Sequence, residues 1–517
     1  MTLITDGSVS KYSAQALALL FFPGSGFPED GSGGEPVVEL SVSRDGETAV
    51  GHARITKDGN TVEKTYAPSA ETAARSGEKR LCNLACGGAL YLAGCEVCGT
   101  VPPWGILTGV RPVRICRDML SAGKSGSEVE EILVKDYFCS AEKASIAVGT
   151  ALRELRLTTD ADRRRCSVYV AIPFCPSKCS YCSFTSFASP RLLSLIPQYT
   201  DRLCTDIENT FDIISRLGLE VSTLYIGGGT PTVLDENQLS RVLEKLSECT
   251  DISALREFTL EAGRPDTINT EKLRIARDFG VTRVSVNAQT MNADVLSAIG
   301  RRHTPEDFLR AYGATRDSGI RDINVDLIAG LPGESGDSFL SSLETVIGLD
   351  PTNITVHTFY AKRAAQIVKT DGDLVFRPQD RGTAAALDAA GKMLDRAHYA
   401  PYYLYRQKNT AANLENAGYA KDGHECLYNI FMMEELHTVF GIGASAMTKL
   451  VSPDDKTVKI KRVCETKYPY EYLDPTKNSA EKRYKELLEE CIRFYEGEPQ
   501  NVGSSEHDGT EGGFAAL

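Results

Sequence analysis

The sequence predicts an α/β protein built on a partial (β/α)6 barrel of the TIM type, with an N-terminal α+β region and a helix-rich C-terminal region. The first observation is that short strand candidates alternate with longer helical segments from residue 166 onward. Six such repeats predict parallel strands joined by right-handed crossovers, for which an open or incomplete barrel is the natural arrangement. The second observation is that cysteine, glycine and polar motifs follow the predicted strand ends, where the chemistry of barrel enzymes gathers.

The repeats of the predicted barrel follow one another in a simple order. Helical segments are expected at roughly 190–217, 235–249, 270–280, 291–318 and 335–349. The strand candidates are Val168–Ile172, Thr223–Ile226, Glu257–Leu260, Arg283–Val286, Asp322–Leu327 and Asn353–Thr358.

The rest of the chain divides around this barrel. The N-terminal part begins with short alternating segments such as Val37–Ser43 and continues with helical patterns near Glu78–Ala93 and from Pro112 to Leu157. The last residues are rich in Gly, Ser and Glu without periodicity, which predicts disorder. The expected regions are 1–160 (α+β and helical), 161–364 (partial barrel), 365–498 (helix-rich cap) and 499–517 (disordered tail).

Composition excludes several classes of protein. The chain has 57 Lys and Arg against 70 Asp and Glu, a formal net charge of −13, which argues against non-specific nucleic-acid binding. No apolar run reaches membrane-spanning length, and the start lacks the features of a signal peptide, so no membrane span is expected. We therefore interpret the fifteen cysteines as reduced thiols and metal ligands of a cytoplasmic protein.

The most informative motif is a group of three cysteines, Cys175, Cys179 and Cys182, directly after the first predicted barrel strand. Cysteine thiolates at close spacing hold iron–sulfur clusters. Three thiolates leave one iron of a four-iron cluster open, and a small molecule can chelate there. Pro173 and Pro176 favour a loop at this point. The alternative is a buried cysteine stripe on a helix, because the spacing is also i, i+4 and i+7.

These motifs resemble those of the radical S-adenosylmethionine superfamily. Tyr181 matches the aromatic residue that precedes the last cluster cysteine and lies against the adenine in that superfamily. The resemblance implies a [4Fe–4S] cluster and S-adenosylmethionine as cofactors. Segments similar to the oxygen-independent coproporphyrinogen III oxidase family are Tyr169–Cys175, Gly227–Pro231, Glu261, Gln289, Arg301 and Asp326–Pro332, and segments similar to its HemZ-like branch are Trp104–Pro112 and Tyr405–Tyr419.

The resemblance also implies a shell of residues around S-adenosylmethionine. The glycines at 227–229 let backbone groups approach a ligand closely, and in the family this segment meets the methionine amino group. Arg301 would grip the methionine carboxylate and Gln289 the ribose. Glu261 and Asp326 would be satisfied by the ligand ammonium or ribose hydroxyl groups; the alternative for each is a structural polar network. The expected cofactor shell is Tyr181, Gly227, Gly228, Gly229, Thr230, Glu261, Gln289, Arg301, Asp326 and Ile328, and the expected catalytic residues are Tyr169, Cys175, Cys179 and Cys182.

By the same resemblance, the protein is expected to be an oxidoreductase of haem and porphyrin biosynthesis. It would remove a β-hydrogen from a propionate of coproporphyrinogen III, after which carbon dioxide and one electron leave; two rounds give protoporphyrinogen IX. Two departures from the family pattern are Phe184, in place of a fourth cysteine, and Ala171, in place of a histidine. A haem-binding chaperone, or another tetrapyrrole-modifying protein of the superfamily, therefore stays open. An axial haem ligand would then come from His357, His424 or His437, although each can equally be a core or surface histidine.

A substrate with four carboxylates needs basic partners at the barrel mouth. We expect Arg406 and Lys408 to supply part of this anchoring, since Tyr405–Asn409 combines planar and cationic groups that suit a flat polyanion. Arg111 and Arg114 are the next candidates. Each of these side chains alone is more often a solvated surface charge. The expected partners are coproporphyrinogen III or haem and an electron donor of the flavodoxin or ferredoxin type.

A second group of cysteines, Cys82, Cys86, Cys95 and Cys98, has the spacing of a zinc site or another cluster. The first pair lies in an Ala/Leu-rich helical stretch, where cysteine replaces small apolar residues. The sequence therefore favours core thiols at these positions over a metal site.

Overall fold

The structure is a computed structural model, and it describes most of the chain. The residues described are 1–28, 33–45, 48–109, 111–182, 184–360, 381–406, 414–453 and 458–496.

The N-terminal region forms a four-stranded sheet with two long helices against it. Strands β1 and β2 are parallel, and β2, β3 and β4 are antiparallel neighbours. Helix α3 lies so close to β3 that a side chain at Gly51 would come within 2.2 Å of the backbone of Ala85. The elements are β1 (Thr2–Thr5), α1 (Lys11–Phe21), β2 (Val37–Asp45), β3 (Thr48–Lys57), β4 (Asn60–Tyr66), α2 (Ala70–Arg75) and α3 (Glu78–Cys98).

Helix α3 is the one described helix that is long and apolar enough to cross a membrane. In the structure, 61% of its most apolar window is buried inside the protein. Most of its buried apolar side chains, among them Cys86, Ala89 and Leu90, pack with those of α1, β2 and β3 in one core cluster. The apolar composition of α3 is therefore that of a core helix.

Three helices connect the N-terminal sheet to the barrel, as the helical patterns between 112 and 157 predicted. The N-termini of two of them are capped by side chains: Ser125 and Glu128 form a capping box at α5, and the Ser140 side chain accepts from the Lys143 backbone at α6. The helices are α4 (Pro112–Ser121), α5 (Gly126–Tyr137) and α6 (Ala141–Leu157).

Six parallel strands, β5 to β10, form the centre of the molecule in their order along the chain. Strands β5 and β9 are buried at nearly every position, as expected for a parallel sheet between layers of helices. All six predicted strands are present, and the α/β class with a partial barrel is confirmed. The strands are β5 (Arg165–Ile172), β6 (Glu220–Gly228), β7 (Glu257–Glu261), β8 (Arg283–Ser285), β9 (Asp322–Ala329) and β10 (Asn353–Thr358).

The helices between these strands match the predicted segments, with two of the segments each divided in two. The divisions fall at 194–195 and at 299–304. The helices are α7 (Pro190–Leu193), α8 (Ile196–Arg216), α9 (Glu236–Cys249), α10 (Thr270–Asp278), α11 (Ala293–Ala298), α12 (Pro305–Asp317) and α13 (Gly336–Gly348).

The C-terminal region contains helices, but it also adds five strands to the same sheet, which the sequence analysis did not predict. Strand β12 pairs antiparallel with β10, and β13 pairs parallel with β5, so the additions extend both edges. The sheet order is β11-β12-β10-β9-β8-β7-β6-β5-β13-β14-β15. The elements are α14 (Arg381–Arg396), β11 (Ala400–Arg406), β12 (Glu415–Ala420), α15 (Leu427–Glu434), β13 (Thr438–Ile442), β14 (Met447–Val451), β15 (Ile460–Cys464), α16 (Pro469–Tyr472) and α17 (Ala480–Glu496). The predicted tail, 499–517, lies outside the described residues.

Candidate functional site

A cavity of about 260 Å³ lies at the carboxyl ends of the six parallel strands. Every one of these strands, or the loop that follows it, contributes to the lining. This is the edge where parallel sheets of the α/β classes hold their ligands. Side chains from β11, β12 and α15 close the far side, so the C-terminal strands help to shape the cavity.

The loop after β5 brings Cys175, Cys179 and Cys182 to the cavity wall. No helix covers these residues, so the alternative of a helical cysteine stripe is wrong. The loop is held by backbone bonds, in which Cys175 N donates to the Phe187 carbonyl at 3.1 Å and Cys182 N donates to the Cys179 carbonyl at 3.2 Å. Burial raises the pKa of the Cys182 thiol to about 11, and the neighbouring Cys179 and Cys175 thiols add to this increase.

The glycine segment after β6 lies directly against this loop. A side chain at Gly229 would come within 3.0 Å of Cys175 Sγ and within 2.5 Å of the Phe174 carbonyl, so only glycine fits there. Gly228 has a φ of +113°, a backbone conformation that residues with a side chain rarely adopt. Thr230 Oγ1 donates to Cys175 Sγ at 3.4 Å. Gly228, Gly229 and Thr230 line the cavity, whereas Gly227 lies behind it, where a side chain would approach the Glu261 carboxyl at 3.1 Å.

Two carboxylates face the cavity, and their pKa values shift in opposite directions. Burial raises the pKa of Glu261 to about 7, although its Oε1 accepts a hydrogen bond from the Tyr225 hydroxyl at 2.6 Å. Burial also acts to raise the pKa of Asp326, but the interactions of this carboxylate with His357, Asn324 and Thr355 lower it overall. One carboxylate therefore titrates near neutral pH while the other stays ionised.

Arg301 and Tyr181 lie side by side at the cysteine end of the cavity. Arg301 Nη2 donates to the Tyr181 hydroxyl at 3.0 Å, and Nη1 donates to the Gly263 carbonyl at 2.9 Å. The Nε atom of Arg301 is buried without a hydrogen-bond partner among the described residues. A guanidinium with an unused buried donor suits a ligand that brings an acceptor.

Gln289 has a strained backbone at the point where the loop after β8 meets β9. Its φ is +66°, in the left-handed region that non-glycine residues rarely occupy. The strain is held by two backbone bonds, from Gln289 N to the Asp326 carbonyl at 2.8 Å and from Ile328 N to the Gln289 carbonyl at 2.9 Å. Strain of this kind persists only where the surroundings impose it, and it concentrates at functional sites.

Tyrosines line the other half of the cavity. Tyr225, Tyr402, Tyr403 and Tyr405 contribute to its wall, and Tyr225 stacks on Tyr428 with ring centroids 4.4 Å apart. Tyr169 does not line the cavity. It stacks behind Tyr225 at 6.0 Å, so it supports the wall from outside.

The comparisons with known proteins agree with this geometry. The family model described as the radical SAM superfamily matches residues 169–346. A Bacillus subtilis (strain 168) protein named "Oxygen-independent coproporphyrinogen-III oxidase-like protein HemZ" is 35% identical over 401 residues, which is 77% of this chain and 78% of the relative. The chain belongs to the HemZ-like branch of the oxygen-independent coproporphyrinogen III oxidase family, within the radical SAM superfamily.

Other relatives of this HemZ-like chain carry a different name. The "Heme chaperone HemW" of Bacillus subtilis (strain 168) is 30% identical over 315 residues, 59% of this chain and 77% of the relative. The protein of the same name from Escherichia coli (strain K12) is 28% identical over 316 residues, 59% of this chain and 75% of the relative. Among solved structures, the coproporphyrinogen III oxidase HemN of Escherichia coli matches with 22% identity and a TM-score of 0.46, covering 66% of this chain and 83% of that chain.

The cofactors of the superfamily are a [4Fe–4S] cluster and S-adenosylmethionine, and the residues present fit both groups. Three thiols share one wall of the cavity, next to the close approach that Gly229 permits. In the second cysteine group, Cys86 belongs to the apolar core of the N-terminal region, and Cys95 and Cys98 pack against that core.

The structure places three of the four expected substrate anchors outside the lining of the cavity. Arg406 is 1% exposed and lies over the Trp104 ring at 5.0 Å, away from the cavity, because it closes the interface with the N-terminal region. Arg111 pairs with Glu435 at 2.6 Å, and Arg114 is exposed; neither lines the cavity. Lys408 lies outside the described residues.

Of the three candidate histidines, the structure brings one to the cavity. His357 lines the wall with its Nε2 at 3.7 Å from Asp326 Oδ2. His424 is held by Asp322, with Nδ1 and Oδ1 2.5 Å apart. His437 is fully buried, with Nε2 at 2.8 Å from Ser167 Oγ and Nδ1 at 2.8 Å from the Asp162 carbonyl.

Arg264 is among the residues of the site that the sequence analysis missed. Arg264 is 3% exposed, lines the cavity, and donates from Nη1 to Cys179 Sγ at 3.0 Å. The available signal was its place in Glu261-Ala-Gly-Arg-Pro265, three residues past the end of β7. A strand-end position alone does not identify which side chain turns inward.

Proposed function

We propose that this protein oxidatively decarboxylates the propionates of coproporphyrinogen III to vinyl groups, giving protoporphyrinogen IX in an anaerobic porphyrin pathway. The observation that carries the proposal is the single cavity that runs from three cysteine thiols to a wall of tyrosines. The expected cofactor ligands and the tyrosine faces that would meet a flat macrocycle therefore line the same cavity. The likeness to a relative named as oxidase-like, over 77% of the chain, supports the same assignment.

In this proposal Cys175, Cys179 and Cys182 would hold the cluster, beside the residues that would bind S-adenosylmethionine. When bound, the two groups supply a carbon radical that removes one hydrogen atom from the substrate. An electron donor of the flavodoxin or ferredoxin type provides the electron that this requires. We propose the cytoplasm as its location, because an oxygen-sensitive cluster and reduced thiols require a reducing compartment.

The surrounding side chains orient the nucleoside. The Glu261 carboxylate accepts from the methionine ammonium, and the unused Nε of Arg301, together with its other donors, meets the methionine carboxylate. Asp326, which stays ionised because its pKa is lowered, accepts from ribose hydroxyl groups beside Gln289. Tyr181 lies against the adenine. None of these groups is fully exposed, which limits the access of water to the reacting centre.

The tyrosine half of the cavity receives the tetrapyrrole. The flat faces of Tyr402, Tyr403 and Tyr405 suit a macrocycle. His357 lies at the border between the two halves, 28% exposed, and is placed to meet a propionate. Loss of one hydrogen atom from the propionate β-carbon, followed by departure of carbon dioxide and transfer of one electron to an external one-electron acceptor, leaves the vinyl group.

Haem binding without turnover is the second candidate. It is favoured by the likeness to two proteins named as haem chaperones and by the presence of His357, a metal-ligating side chain, in the cavity. Phe184 and Ala171, which replace a cysteine and a histidine of the oxidase pattern, point in the same direction.

One experiment separates the two functions. The full chain is reconstituted anaerobically with iron and sulfide and incubated with S-adenosylmethionine, dithionite and coproporphyrinogen III. Protoporphyrinogen IX with two equivalents of 5′-deoxyadenosine supports the oxidase, and Cys175→Ala, as the matched control, should give neither product. No porphyrin product, together with stoichiometric haem binding that His357→Ala abolishes, would establish the chaperone and overturn the oxidase.

A further inference from the structure

Arg264 touches the cysteine loop at two points. Its Nη1 donates to Cys179 Sγ at 3.0 Å, and its Nη2 donates to Ser177 Oγ. Burial at 3% exposure keeps water away from the guanidinium, so its charge acts on the sulfur with little screening.

The position of this guanidinium is set from its other side. Arg264 Nε lies 3.3 Å from Asp266 Oδ1, and Pro265 between them begins a short 3₁₀ turn that fixes the local backbone. Asp266 is 27% exposed, so solvent weakens its compensating negative charge. A net positive field therefore remains at Cys179.

The second cation near the loop is arranged differently. Arg301 donates to the Tyr181 hydroxyl and to the Gly263 carbonyl, and no bond from it to a sulfur is present among the described residues. Arg264 is therefore the described cation that bonds directly to a thiol of the loop.

We propose that Arg264 raises the reduction potential of the cluster that Cys179 helps to ligate. The reduced cluster carries one more negative charge than the oxidised cluster. A buried cation that also donates to a ligand sulfur stabilises the reduced form more than the oxidised form. Net charge and hydrogen bonds to the sulfurs are among the factors that set the reduction potential of an iron–sulfur cluster. The inference rests on the proposed ligation by Cys179, but it holds for either of the two proposed functions.

The test is a potentiometric titration of the anaerobically reconstituted full chain, followed by electron paramagnetic resonance of the reduced cluster, without S-adenosylmethionine. Arg264→Gln keeps hydrogen-bonding capacity and removes the charge. It should lower the equilibrium constant for cluster reduction at least about tenfold, which is about 59 mV for a one-electron couple, toward more negative potential. Arg264→Lys keeps the charge and should shift the potential less.

Two control variants separate this effect from loop architecture. Ser177→Ala removes the second hydrogen bond between Arg264 and the cysteine loop, and Arg302→Gln makes the same Arg-to-Gln substitution at an exposed arginine. Both should keep the wild-type potential. An unchanged potential in Arg264→Gln, or an equal shift in Ser177→Ala, would overturn the proposal.

Further variants keep the test decisive. Where Arg264→Gln fails to assemble a cluster, Arg264→Met, which also removes the charge, decides: a more negative potential supports the proposal, and the wild-type potential overturns it. Cys179→Ala tests the ligation itself by iron content. Full iron content in Cys179→Ala would show that Cys179 is not a cluster ligand and would refute the proposed ligation. Loss of iron in Cys179→Ala, together with an unchanged potential in Arg264→Gln, would refute only the role of Arg264.

Discussion

Glu261 should make the binding of S-adenosylmethionine dependent on pH near neutrality. Burial raises the pKa of this carboxyl to about 7 in the free protein. In our proposal the ionised carboxylate receives the ligand ammonium. Because the folded pKa lies above the ordinary value, the carboxylate is ionised above pH 7 and becomes protonated as the pH falls through 7. Affinity is then full above pH 7 and decreases below it, by about tenfold for each further pH unit.

The magnitude follows from the loss of one charge-assisted hydrogen bond. Replacing Glu261 by Gln removes an interaction worth about 1.5–3 kcal/mol, so the Kd should rise about 10- to 150-fold at pH 7.5. At pH 6 only about one tenth of the wild-type carboxylate is ionised, so the difference between wild type and variant should shrink about tenfold.

The measurement is isothermal titration calorimetry of S-adenosylmethionine with the cluster-loaded chain at pH 6 and 7.5. Glu261→Gln corrects for titration of the ligand itself, since it lacks the carboxyl. Asp326→Asn is the matched control: the pKa of Asp326 is lowered, so its loss of affinity should be equal at both pH values. The reasoning is refuted if wild type binds equally at pH 6 and 7.5, or if Glu261→Gln retains the wild-type decrease.

Three further outcomes follow from the structure. Cys175→Ala should lose the iron and the brown absorbance after reconstitution, while Cys82→Ala keeps both; equal iron content in the two variants would contradict the assigned ligands. Lys143→Met should lower the free energy of unfolding by about 3–5 kcal/mol in urea denaturation, because it leaves the buried Glu415, 2.5 Å away, without its cation. The double variant with Glu415→Gln should recover part of the loss. Wild-type stability in Lys143→Met would show that the pair contributes nothing. Arg406→Gln should reduce stability without changing tetrapyrrole affinity in a fluorescence titration, since this side chain packs on Trp104; weakened binding with full stability would restore it as an anchor.

Features encoded within a short stretch of chain were predictable. The six barrel strands were placed within a few residues of their observed bounds because apolar runs, turn residues and helical periodicity are local signals. The cysteine loop was equally accessible, since its three cysteines lie within eight residues. Parallel strands also bring their carboxyl ends to one edge, so the meeting of Glu261, Gln289 and Asp326 followed from topology.

The outer strands could not be predicted in the same way. Strand β12, Glu415–Ala420, contains Glu, Asn, Gly and two Ala and has little of the β-branched composition of a strand. It is a strand because β10 and β11 offer it hydrogen-bonding edges on both sides. Backbone pairing with distant residues decided its conformation against its local preference.

By itself, the sequence determined the class of the fold, the cysteine loop and the chemistry that three closely spaced thiols imply. The tertiary structure decided which isolated side chains share the cavity. Arg264 reaches Cys179 across 85 residues of chain, while Arg406, which follows a promising tyrosine motif, turns into the N-terminal interface. The physical reason is that a lone arginine carries no local signal of its partner. Its direction is set by the strand register and by the packing of elements far away in the chain.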